Sequence, residues 1–167
     1  MKFSEFFTSK DNLHLDKRTL VILRWIAIVG QYITISIVYL IFNFELPFFY
    51  CSIVILVGVA TNLYLQFKVK ENQLNNFTST FFLFYDLMQL ATLLYLTGGV
   101  TNPFTILLIV PAIVSSTFLT LKSTINLSFI TFLCLVTLTL YHLPLPHPGE
   151  LHFHVPDFYL YAIPIAV

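Results

Sequence analysis

The sequence predicts an all-α fold, a polytopic bundle of transmembrane helices with its N-terminus in the cytoplasm. Three observations lead there. Of the 167 residues, 57% are hydrophobic and only 10% are charged, where a soluble domain carries about 25% charged residues. The mean hydropathy is +0.85. The apolar residues also fall into runs of about 20, the length of helix that crosses the hydrocarbon core of a bilayer. The lipid bilayer is therefore the principal surrounding of this chain. A formal net charge of +0 leaves no signal for nucleic-acid binding.

The runs can be placed in order. The first span is expected at residues 20–44, after a cytoplasmic tail of residues 1–19, and the remainder, residues 20–167, forms one membrane domain. The second span is expected at 47–67 and the third at 77–97. The apolar stretch from 102 to 143 is too long for one crossing, and Lys122, in "TLKST", divides it into spans at 102–121 and 123–143. A further run opens at Phe158, but ten residues remain, and at about 1.5 Å each they cannot cross. The sequence thus predicts five complete spans and the start of a sixth, with more chain to follow.

Orientation follows from charge. The eight Lys and Arg are Lys2, Lys10, Lys17, Arg18, Arg24, Lys68, Lys70 and Lys122. With the N-terminus inside, each falls in, or close to, an inward-facing segment, as the positive-inside rule requires. The outer segments, 43–46, 98–101 and roughly 142–157, hold Glu45, Glu150 and Asp157 instead. The expected location is a membrane crossed several times. Cys51 and Cys134 sit within apolar runs without a CxxC neighbour, and read as small buried hydrophobes.

The stretch "YLTGGVTNPFTIL", residues 95–107, interrupts this pattern. As a turn it is complete. Gly98 or Gly99 can end the third span in the left-handed conformation. Asn102 suits an N-cap and Pro103 the first helical position. As a ligand site it offers open backbone, unpaired N–H donors at a helix start, the Asn102 amide, and the flat rings of Phe104 and Tyr95. A quinone, with acceptor oxygens on a flat ring and an apolar tail, suits such a place at the outer lipid boundary. Both readings stand on the residues alone.

"GGVTNPF" resembles the GGxxNPF heptapeptide of the RegB/PrrB-type redox-responsive sensor histidine kinases of proteobacteria. "LRWIAIVGQ" at 23–31, "DLMQLATLLYLTGG" at 86–99 and "LPLP" at 143–146 resemble the same membrane region in order and spacing. The resemblance implies ubiquinone as the sensed ligand, with Gly98, Gly99, Asn102, Pro103 and Phe104 as the quinone-site residues. It further implies a homodimer, phosphotransfer to a cytoplasmic response regulator, and an ATP-dependent histidine kinase domain. The phospho-accepting His segment, the ATP-binding domain and the redox-active cytoplasmic Cys of that family are absent from this chain. No residue here is a catalytic candidate. The reading from a different class is a small membrane transport or scaffold protein without a quinone role.

Ionisable groups within a span are functional candidates, and Asp86 is one. Twelve residues separate it from Gly98, about 18 Å along a helix, so one ring cannot touch both. Arg24, near the inner end of the first span, is its expected partner. Gln31 follows Arg24 by seven residues and Gln89 follows Asp86 by three, so each shares a face with its charged neighbour. A polar seam is expected, Arg24 facing Asp86 and Gln31 facing Gln89. It can serve as assembly glue, as a relay of signal inward, or as a proton path. The segment "HLPLPHPGELHFHVPD" holds His142, His147, His152 and His154. It reads as an exposed polar loop, with metal contact or a pH response as alternatives, and no residue set is assigned to a metal.

Overall fold

The computed structural model describes residues 15–41 and 43–143. A two-residue strand β1 (Leu15–Asp16) leads into α1 (Lys17–Leu40), followed by α2 (Phe48–Lys68), a second short strand β2 (Gln73–Leu74) and α3 (Asn76–Leu96). A 3-10 turn (Gly99–Thr101) and a 3-10 helix (Pro103–Ile109) then lead into α4 (Val110–Phe118) and α5 (Leu121–Leu140). Among the described residues, four helices, α1, α2, α3 and α5, are long and apolar enough to cross a membrane, and the stretch Pro103–Phe118 is shorter. The expected sixth run and most of the expected tail lie outside the described residues.

The helices are greasy all round, because both neighbouring helices and lipid accept apolar side chains. On α1, Leu20, Val21, Arg24, Ile28 and Ile35 are buried while Ile22, Leu23, Ile26, Val29 and Ile33 are exposed. The central element is α3, packed against α2, α4 and α5. Its capping is orthodox: the Asn75 side chain accepts the Thr78 N–H at 2.7 Å, satisfying one of the donors a helix start leaves free.

The ends of α1 and α5, at Leu40 and Leu140, fall short of the expected 44 and 143, and three further boundaries differ from the expectation. First, α1 begins at Lys17, three residues before the expected start. Leu15 and Asp16 pair antiparallel with Leu74 and Gln73, Lys17 N–H donates to Asn72 O at 2.9 Å, and Lys17 Nζ donates to Val69 O at 2.8 Å. These bonds strap the end of the tail to the α2–α3 connection. Second, the break between α4 and α5 falls at Leu119–Thr120, and Lys122 sits in the first turn of α5. Thr120 takes the N-cap position, and Asn76 Oδ1 accepts the Thr120 N–H at 3.0 Å while Asn76 Nδ2 donates to Ser123 Oγ at 2.8 Å. Capping chemistry, rather than the lysine charge, sets the turn.

Third, the expected span at 102–121 is not one α-helix. Pro111 has no N–H, and its ring crowds the carbonyl four residues back, so α-type bonding cannot run unbroken through Leu107. The chain winds as 3-10 helix up to Ile109 instead. A 3-10 helix rises about 2.0 Å per residue against about 1.5 Å for an α-helix. Seven residues of one and nine of the other therefore reach roughly 27 Å. That matches the path the segment follows, from the C-terminal end of α3 back to Asn76 at its start.

The up-and-down order puts Lys17, Arg18, Lys68, Lys70 and Lys122 at one end of the bundle, and Glu45 and the Gly98–Asn102 corner at the other. The expected outcome of cysteine scanning follows. In a chain with Cys51 and Cys134 replaced by Ala, a single Cys at Lys70 or Lys122 reacts with an impermeant thiol reagent only from the cytoplasmic side. One at Thr101 reacts only from the outside. Labelling of Thr101→Cys from the cytoplasmic side reverses the orientation.

Candidate functional site

The outer corner is built from its two glycines upward. Gly98 (φ 106°) and Gly99 (φ 58°) both take positive φ, which a side chain would strain. Asn102 is the N-cap of the 3-10 helix and Pro103 follows it at the first position. Its side chain is fully committed. Oδ1 accepts the Phe104 N–H at 2.9 Å, and Nδ2 donates to the Thr97 carbonyl at 3.1 Å and to Thr97 Oγ1 at 2.8 Å. The Thr105 hydroxyl donates to Gly99 O and Asn102 O.

The N–H donors expected to be unpaired here are instead taken up. Those of Thr101, Asn102 and Thr105 go to carbonyls three residues back, as 3-10 winding provides, and that of Phe104 goes to the Asn102 side chain. What the corner leaves open is aromatic surface, with Phe104 42% and Tyr95 41% exposed. A second contact could not be read from sequence. The His142 ring packs directly on Gly99, where a Cβ would occupy its place. His142 Nδ1 donates to Leu138 O at 2.9 Å, and Leu143 N–H donates to Tyr95 O at 3.0 Å. The outer end of α5 thus roofs the corner. His147, His152 and His154 lie outside the described residues.

About 18 Å deeper, the polar residues of three helices meet. Arg24 Nε donates to Asp86 Oδ1 at 2.8 Å, an ion pair whose arginine is 3% and whose aspartate is 24% exposed. Gln89 Nε2 donates to Gln31 Oε1 at 3.1 Å. The structure therefore brings together Arg24 with Asp86 and Gln31 with Gln89. It also adds α2, which nothing in the residue pattern singled out. Arg24 Nη2 donates to Thr61 Oγ1 at 2.8 Å, and that hydroxyl donates to Gly58 O at 2.9 Å. The guanidinium carbon lies 5.2 Å from the Phe82 ring centroid and 5.5 Å from that of Tyr85, both within cation–π range. Asn62 Nδ2 reaches Val21 O at 3.3 Å.

Gly58 explains how the glutamines meet. A Cβ there would fall 2.5 Å from Gln89 Nε2 and 2.6 Å from its Oε1. The missing side chain is the passage through which Gln89 crosses α2 to reach Gln31. The signal in the sequence was a glycine in mid-span, "LVGVA", which an α-helix tolerates at a cost and which had no role until the fold was in view.

A helical bundle with basic residues at one end, a buried ion pair within it and a glycine-rich outer corner is a polytopic membrane domain. The chain belongs to the family of PilS-like transmembrane domains, whose model matches residues 20–163, and it is a multi-pass protein of the bacterial inner membrane. It is similar to the sensor histidine kinase RegB of Cereibacter sphaeroides, 32% identical over 151 residues, which are 90% of this chain and 33% of that protein. The chain spans about one third of the length of that relative. No solved structure matches.

The seam makes two stability predictions. Gly58→Ala would ordinarily stabilise a helix by about 0.5–1 kcal/mol. Here it displaces the Gln89 amide, so thermal unfolding of the purified chain in lipid nanodiscs should shift downward. Asp86→Asn or Arg24→Gln alone leaves a buried charge without its partner and costs about 3–5 kcal/mol, and the double variant recovers part of that. A seam whose single variants unfold as the wild type does carries no structural weight.

Proposed function

We propose that this chain is the membrane-embedded redox- and quinone-sensing region of a two-component sensor histidine kinase, controlling a cytoplasmic kinase domain absent from this chain. The observation that carries the reading is the corner at residues 98–104. The heptapeptide folds there into a closed clasp at the outer end of the bundle, with Phe104 left open beside it. The similarity to RegB supports a sensor-kinase membrane region, and the exposed Phe104 ring at the outer boundary, together with the resemblance of the heptapeptide to GGxxNPF, supports the quinone. In this reading Pro103–Phe118 is also a crossing, giving five spans before a sixth that leads to the kinase. The sensor works as a homodimer and its kinase passes phosphate to a cytoplasmic response regulator.

The commitment of Asn102 suggests how binding is felt. A ubiquinone ring lying on Phe104 presents an oxygen that competes with Thr97 for one Nδ2–H of Asn102. Taking that proton donor loosens the tie between the end of α3 and the start of the 3-10 helix. A ligand shifts such an equilibrium only by its differential affinity for the two states, and this competition supplies one. Gly98 and Gly99 permit the approach, Pro103 fixes the direction of the chain, and the seam of Arg24, Gln31, Asp86 and Gln89 passes or resists the movement of α3.

Equilibrium binding of a short-chain ubiquinone to the purified chain in nanodiscs tests this. Phe104→Ala and Asn102→Ala should each weaken binding roughly tenfold, about 1.4 kcal/mol. Thr97→Val removes a competing acceptor and should tighten it. Unchanged affinity in both alanine variants removes the quinone and leaves the bundle as it stands.

A further inference from the structure

Among the described residues, three buried side-chain atoms have no protein hydrogen-bond partner: Arg24 Nη1, Asn62 Oδ1 and Ser79 Oγ. They belong to α1, α2 and α3, and to faces that converge. Asn62 is fully buried, and its Nδ2 donates to the carbonyl of Val21, one turn before Arg24. Its neighbour Thr61 accepts from Arg24 Nη2. Asn62 and Arg24 therefore meet across the α1–α2 contact. On α3, Ser79, Phe82 and Asp86 follow one another by three and four residues and so share a face. Phe82 lies under the guanidinium and Asp86 bonds to it. Leu15, Leu20, Leu65 and Leu74, all within 1% of complete burial, pack in one cluster with Phe82 toward the cytoplasmic end.

We propose that α1, α2 and α3 hold a site for ordered internal water, bound between Arg24 Nη1 and Asn62 Oδ1, with Ser79 Oγ as the next polar group toward the cytoplasm. The hydrogen-bonding senses match. A guanidinium nitrogen only donates and an amide oxygen only accepts, so one molecule that accepts from the first and donates to the second satisfies both. Water does this, and buried polar groups in proteins are commonly met by water with two to four such partners. The charges select the same ligand. Asp86 already balances Arg24, so an anion would compete with the carboxylate and a cation would be repelled by the guanidinium. Intramembrane ionisable residues face the bundle interior or water-filled cavities, and this pair does both. The consequence is mechanical. Arg24 is tied to α3 through Asp86 and to α2 twice, through Thr61 and through water on Asn62. The ion pair is hydrated on one side, and the leucine cluster lies toward the cytoplasmic end. This site does not depend on a quinone.

The experiment uses the fact that Arg18 and Arg24 are the only arginines in the sequence. The full chain is labelled with 15N-arginine, reconstituted in lipid, and examined by solid-state NMR for magnetisation transfer from water protons to guanidinium nitrogens. Arg18→Lys assigns the Arg24 signals. Arg24 should receive transfer from water, and Asn62→Leu, which removes the acceptor and fills its space, should reduce that transfer severalfold without changing Arg18. Asn62→Ser, which keeps a hydroxyl and leaves room, should retain it. An Arg24 that receives no transfer in the wild type overturns the proposal by itself, whether or not the leucine variant folds. Equal transfer in wild type and Asn62→Leu overturns it as well.

Discussion

The ion pair between Arg24 and Asp86 is the interaction on which the arrangement of the first three helices turns. A charge turned toward the lipid chains finds no water to share the load, and apolar faces give no preference between a helix and lipid. Leucine and isoleucine can therefore fill a bundle but cannot choose its register. A guanidinium that reaches Asp86 on α3 and Thr61 on α2 can. Rotating α1 by one residue, about 100°, would aim Arg24 into lipid and strand Asp86. The weaker Gln31–Gln89 bond repeats the constraint further out, two turns along α1 and about one along α3, so that rotation and tilt are both fixed. A buried ion pair is poor evidence of stability in itself; its weight here is in specifying one packing among many that are equally greasy.

The outer corner is organised on a different principle. It contains no charge and is held by short-range hydrogen bonds that close on themselves: Asn102 to Thr97, Thr105 to Gly99, Thr101 to Gly98. Each is local in sequence. The long-range contacts come from His142 on Gly99 and from Leu143 to Tyr95. A corner that is locally closed and remotely roofed can exchange one internal bond for a bond to a ligand without unfolding either flanking helix.

How much of this could be read from the sequence depends on what each residue's signal was competing with. The helices at 48–68 and 76–96 were legible within a residue, because long apolar runs have few alternatives. Arg24, Gln31, Asp86 and Gln89 were legible as pairs because polar residues are rare in these runs and their spacing on a helix is fixed. Their third partner was not. Thr61 bonds its own helix readily and is common within spans, so nothing marked it out, and Gly58 mattered only through a side chain from another helix. The turn at Leu119–Thr120 was assigned to Lys122 because charge is a conspicuous signal. The deciding chemistry was the quieter one, the Thr120 cap and the two bonds from Asn76. The 3-10 winding before Pro111 was hidden for the same reason that Pro103 was visible: a proline at a helix start reads plainly, and a second one eight residues later reads as a helix continuing.

These pieces meet on α3. One end of it is tied to the 3-10 segment through Thr97 and Asn102, its middle carries Asp86 and Gln89, and its start is tied to the α4–α5 turn through Asn76. A helix transmits displacement along its axis because its own hydrogen bonds resist bending, whereas a sideways shift is absorbed by soft apolar contacts. If the outer tie is released, the displacement available to α3 is set by what holds its middle. With the ion pair intact, α3 can pivot about Asp86 but cannot slide past α1, since sliding by even one turn, about 5.4 Å, would part a bond that is 2.8 Å long. The same pair that fixes the register of the fold would thus convert a loosened corner into a rocking of α3 rather than a piston stroke. The inner end would then move against the strap of β1 and β2 and against the α4–α5 turn, where the chain reaches the cytoplasmic face.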